Sequence, residues 1–186
     1  VPSAQHHDPA HVARALQALA AKARVDFGGF FYFVMRHDGQ GGRPDLAGSV
    51  LNPAPHQLVA FSFVQHHPRA LLRLPADFGK TFLCGALTLW RVGRDLTQRG
   101  AIVAHTQDQA KKVLKFVADY VTTPELMGSL QLVFHRENGE PLLRRSLRPQ
   151  DAWTQTELTF DRPNVGIRDA TLVARGIETS GISGSR

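Results

Sequence analysis

An α/β fold is predicted for this chain: a mostly parallel sheet flanked by helices, preceded by a helical segment and incomplete at its C-terminus. Three observations lead there. Between residues 70 and 121, short apolar runs alternate with helical periodicity in the order strand, loop, helix, strand, helix. That alternation builds a parallel sheet through helical crossovers. The stretch Leu74-Pro75-Ala76-Asp77-Phe78-Gly79-Lys80-Thr81 reads as a phosphate-binding loop between a strand and a helix, the signature of a P-loop NTPase-type domain. Finally, 186 residues with 42% hydrophobic content are enough for a domain with a substantial core.

Asp8 and Pro9 mark a helix start, and Val12, Leu16, Leu19, Ala20 and Ala23 form an apolar stripe over residues 9 to 24. Phe27, Phe30, Phe31, Tyr32 and Phe33 follow, a cluster suited to core packing rather than to stacking on bases. Residues 37 to 49, rich in glycine, read as a flexible loop. Pro55 to Gln65 is a further helix, carrying Leu58, Phe61 and Val64 and ending at Pro68. Ala70 to Leu74 then suits a strand buried on both faces and closed by Pro75.

From Gly79, the residues Phe82, Leu83, Ala86, Leu87, Leu89 and Trp90 make a strongly apolar helix, with Gly93 as its stop. Ala101 to Ala104 is a second buried strand. Thr106 and Gln109 form a capping box, opening a helix faced by Ala110, Val113, Leu114, Val117 and Val121. Thr123-Pro124 is expected to end the regular structure. Leu158 and Phe160 alternate with polar residues, and Ala170 to Arg175 is a second apolar run. The two make a long-looped hairpin across Asp161-Arg162-Pro163-Asn164. The chain is thus divided into a helical and loop segment, 1–54, and an ATPase core, 55–186. Its start at Val1 and loop-like end, Ser180 to Arg186, suggest a piece of something longer.

The net charge of +6 favours polyanionic partners. Arg136, Arg144, Arg145 and Arg148 concentrate positive charge in residues 135 to 150, against Glu137 and Glu140. Of these, Arg144, Arg145 and Arg148 are the candidates for contact with DNA backbone. The longest apolar stretch, Phe27 to Met35, is far shorter than the roughly 20 residues that span a bilayer, so no membrane role is expected. Cys84 stands alone, so no intrachain disulfide forms. It is expected to be a small core residue, and the setting cytoplasmic. His7 and His11 share a helix face and His66 adjoins His67, but no cysteine or acidic cluster completes a metal site.

The loop carries the chemistry. Gly79 allows close approach of backbone to phosphate, Lys80 supplies a mobile charge for the outer phosphates, and the Thr81 hydroxyl suits Mg²⁺. Leu74 stands where the full GxxxxGK[ST] pattern has its first glycine.

Taken together, Pro55-His56-Gln57, the loop running into Leu87-Thr88-Leu89-Trp90-Arg91, Ile102 to Ala110, and Thr171 to Ile177 leading to Ile182-Ser183-Gly184-Ser185-Arg186 resemble the N-terminal ATPase domain of tailed-phage terminase large subunits. The likeness covers roughly residues 50 to 186. It implies ATP and Mg²⁺ as cofactors, held by Pro75, Ala76, Asp77, Phe78, Gly79, Lys80 and Thr81, with Gln57 reading adenine and Lys80 acting in catalysis. Arg175 or Arg186 would face a neighbouring subunit. Double-stranded DNA, further copies of the chain, a portal protein and a small terminase subunit are the implied partners. The implied place is the cytoplasm of a host cell, with a phage or prophage as the source.

Two departures stand out. Ala76 occupies the place of a basic residue in the family, followed by Asp77, whose charge opposes a polyphosphate. The Walker B strand, with its metal-binding aspartate and catalytic glutamate, would follow Arg186. The segment alone is therefore expected to hold nucleotide without hydrolysing it. Another P-loop ATPase acting on nucleic acid, helicase-like, and a non-catalytic nucleotide- or DNA-binding remnant are the alternatives.

Overall fold

A computed structural model describes residues 8–36, 49–67, 69–75, 78–162 and 169–177. Helix α1, Pro9–Val25, starts where the Asp8 carboxylate accepts the Ala10 amide at 3.0 Å. Asp26 caps the next helix, α2, Phe27–Val34, through the Gly29 amide at 2.6 Å. A capping acceptor here satisfies a donor that the first turn leaves free. Of the predicted loop at 37–49, residues 37–48 lie outside the described residues. Helix α3, Pro55–His66, has no side-chain acceptor at its start; instead Gln57 Oε1 accepts the Ala54 amide at 2.9 Å.

Helix α4, Lys80–Arg94, is followed by strand β1, Gly100–Ala104, and helix α5, Gln107–Thr122. Thr106 caps α5 through the Gln109 amide, and all five residues predicted to face inward are buried. Regularity does not stop at Thr123-Pro124. Pro124 instead begins α6, Pro124–Val133, because the missing N–H of proline costs nothing in a first turn. Strands β2, Glu157–Leu158, and β3, Leu172–Gly176, form the expected hairpin, Leu158 opposite Leu172.

The predicted sheet is corrected by this structure. Among the described residues there are six helices and one three-stranded mixed sheet in the order β1-β3-β2, not a mostly parallel P-loop-type sheet. Only β1 and β3 run parallel, Gly100 opposite Leu172 through Ala104 opposite Gly176. Residues 70–74 are extended but belong to no strand. Leu71 is 84% exposed while Leu72 and Leu74 are half-buried, so this stretch covers the core with one face only. A strand exists by pairing, and this stretch pairs with nothing among the described residues.

What replaces a broad sheet is an aromatic helical core. Phe27 packs edge-on against Phe61 at 5.2 Å and beside Trp90 at 5.4 Å, and Phe30 meets Phe134 at 5.7 Å. Trp90 Nε1 donates to the Ala23 carbonyl at 3.1 Å, and Arg24 donates to the Val133 carbonyl at 2.6 Å. One continuous cluster of buried apolar residues therefore joins residues 20–35 with the rest of the chain, from Ala20 to Ala174. Helix α5 lies over β1 and β3 and against α4 and α6.

Gly93 is not a helix stop. It sits inside α4, where an added Cβ would stand 2.4 Å from the Phe134 ring. That ring is 2% exposed, so it must shift within the fold to admit the methyl group. Gly93→Ala should therefore lower stability by about 1–3 kcal/mol through overpacking. Gly128→Ala on α6, where nothing lies within 4 Å, should raise stability by about 0.5–1 kcal/mol. Urea unfolding midpoints of the two variants check the contrast.

Candidate phosphate-binding loop

The loop reaches α4 through Gly79, whose φ of 75° is the left-handed conformation that side chains resist. Gly79 stands at the N-cap and has no side chain to accept from the first amides of α4, and the first intrahelical bond is Leu83 N–H to Gly79 O at 2.9 Å. A helix start carries donors without an intrahelical partner and the positive dipole end.

Lys80 is exposed and folds back over its own loop, donating from Nζ to the Leu74 carbonyl at 3.1 Å and to the Pro75 carbonyl. Its ammonium thus sits at the loop mouth on neutral acceptors. Thr81 is exposed on the first turn beside it. Ala76 and Asp77 lie outside the described residues.

Gln57 lies against the loop, but its amide is already occupied. Its Oε1 accepts from Ala54, and its Nε2 donates to the Phe78 carbonyl at 3.2 Å. The same Nε2 would be 3.2 Å from a Cβ added at Gly79. Gln57 therefore braces the start of α3 against the turn into α4. His56 stacks beside Phe78 with ring centroids 4.1 Å apart, a second brace that the sequence reading missed. The signal for both was the position of residues 56 and 57 in the first turn after Pro55, where side chains reach back toward the helix start.

Behind the loop runs an open groove of about 340 Å³, lined by Leu72, Leu74, Lys80, Leu83, Cys84 and Leu87 among others. Cys84 is exposed here rather than held in the core as predicted. Helix α4 turns Leu83 and Ala86 inward and leaves Cys84 on its groove side. Although water reaches it, apolar surroundings still push its thiol above the usual value, opposed by a hydrogen bond involving Thr88.

The arginines proposed for DNA contact differ in their engagement. Arg144 is paired with Asp161 at 2.8 Å and with Glu140 at 2.9 Å. The hydrogen bond it donates to the Asp161 carboxylate holds its pKa above the ordinary value, ahead of the opposing loss of hydration. Arg136 shares the same Asp161 oxygen at 2.8 Å. Arg145 lies over the Trp153 ring at 5.9 Å, and Arg148 donates weakly to the Arg162 carbonyl at 3.5 Å. No ion pair to a carboxylate holds Arg145 or Arg148 among the described residues. His66 and His67 each place Nδ1 near a carbonyl one turn back, Ser62 at 2.7 Å and Phe63 at 2.9 Å. No group of metal-ligating side chains is found among the described residues, and no described helix is long and apolar enough to cross a membrane.

Compared with family models, curated proteins and solved structures, the chain has no significant match.

This geometry has two measurable consequences. Because the thiolate is the reactive form, Cys84 should be alkylated by iodoacetamide at neutral pH more slowly than free cysteine, as mass spectrometry would record. Asp161→Asn should lower the urea midpoint more than Glu140→Gln does, since Asp161 holds two arginines and Glu140 only one.

Proposed function

We propose that the loop from Leu74 to Thr81 binds the polyphosphate of ATP with Mg²⁺, as the nucleotide-holding part of a DNA-packaging motor of the terminase large-subunit kind. The observation that carries this reading is the Lys80 ammonium, poised over the Leu74 and Pro75 carbonyls beside a helix start whose N-cap is a glycine. Exchange of those neutral oxygens for phosphate oxygens would give the ammonium acceptors of opposite charge, adding ion pairing to the hydrogen bonds. Gly79 removes the Cβ that would crowd the approach. Thr81, one residue on, offers a hydroxyl to the metal.

In such a motor, water attacks the γ-phosphate in line, while Lys80 and Mg²⁺ balance the developing charge. Duplex DNA is the proposed partner, through Arg145 and Arg148. A second reading, a nucleotide-binding protein without catalysis, is favoured by Ala76 standing where the family carries a basic residue.

Calorimetric titration with Mg·ATP tests the reading. Binding should weaken about tenfold or more in Lys80→Ala, equivalent to roughly 1.4 kcal/mol, with the circular dichroism unchanged. Absence of binding by the folded chain, or equal affinity in the variant, would remove this function.

A further inference from the structure

A second cavity, of about 520 Å³, opens between α5 and the turn leading into β2, on residues other than those of the phosphate loop. Leu114, Ala118, Trp153 and Leu158 supply its apolar surface, and Leu114 and Leu158 are each 1% exposed. Lys111, Lys112 and Lys115 line its α5 side. Lys115 lies three residues from Lys112 and four from Lys111, spacings that put it beside both on one flank of the helix.

The cavity is built rather than incidental. Trp153 meets Phe160 edge-on at 5.7 Å, and the Trp153–Leu158 bridge closes the turn that carries it. The rim is cationic but lightly committed. Lys111 pairs with Asp108 at 3.0 Å and Lys115 with Asp119 at 2.6 Å, both on the surface of the same helix. Exposed pairs of this kind contribute little and exchange readily. Lys112 has no carboxylate partner among the described residues.

An apolar cleft within the volume range of ligand sites, edged by cations, selects a ligand that is both apolar and acidic. We propose that this cleft docks an acidic amphipathic peptide segment of a partner protein. Its large apolar side chains would fill the surface between Leu114 and Trp153, and its carboxylates would face Lys112 and Lys115. Nucleic acid fits less well. Phosphates would use the lysines but leave the apolar surface unfilled, and Arg145 already lies over the Trp153 ring that a base would need.

The test uses the full chain and a synthetic peptide of alternating glutamate and leucine with a central phenylalanine, titrated by calorimetry. The double variant Lys112→Glu/Lys115→Glu should weaken binding about tenfold or more. Lys22→Glu, a charge reversal on α1, should change it less than about twofold. A peptide with serine in place of leucine should not bind. Three results would each overturn the proposal: no binding at millimolar peptide, equal losses in the two charge-reversal variants, or an oligothymidylate that binds these same lysines more tightly than the peptide. Unfolding midpoints of the variants separate lost binding from lost structure.

Discussion

Two phenylalanine rings resting on bare glycines set the position of α4, and nearly everything else is arranged around that helix. Phe116 of α5 occupies the place a Cβ of Gly85 would take, at 2.3 Å, and Phe134 does the same at Gly93. Both contacts bring a neighbouring element nearer than any side chain on α4 would allow. Interiors are packed as tightly as organic crystals, so such contacts admit little sliding. From α4, Trp90 reaches Ala23 of α1 with its indole N–H and Phe27 of α2 with its ring. The N-terminal helices are therefore part of the same core that fixes the loop.

Gly79, in the left-handed conformation, and the exposed Lys80 sit at the start of α4. Gln57 and His56 then tie that turn to α3 through the Phe78 carbonyl and ring. A turn held in this way is preorganised, so less ordering entropy would be lost by anything that binds there.

The small sheet has its own cause. A parallel pair needs a crossover, and the chain between β1 and β3, with α5 packed over both strands, provides it. The antiparallel partner β2 needs only the local turn carried by Trp153. Residues 70–74 receive neither kind of partner. Their half-buried Leu72 and Leu74 instead line the groove beside α4, opposite Leu83 and Leu87. Cys84 is exposed for the same reason, since no neighbouring strand covers that side of the helix.

Much of the local structure was written in the sequence. Asp8-Pro9 and Thr106 announce helix starts because a short polar side chain can satisfy amides that a first turn leaves free. The period of Ala110, Val113, Leu114, Val117 and Val121 announces a buried helical face, and all five are buried. What tertiary structure alone decided was which apolar runs would find partners. Ala70 to Leu74 has a strand's composition but no neighbouring edge, whereas Leu158 and Leu172 have each other. Gly93 looked like a terminator and is instead the seat of a ring that arrives from 41 residues along the chain. Arg144 looked free for DNA but meets Asp161 across the fold. Capping and periodicity are local and can be read along the chain; pairing, close approach and charge neutralisation depend on residues that only folding brings together.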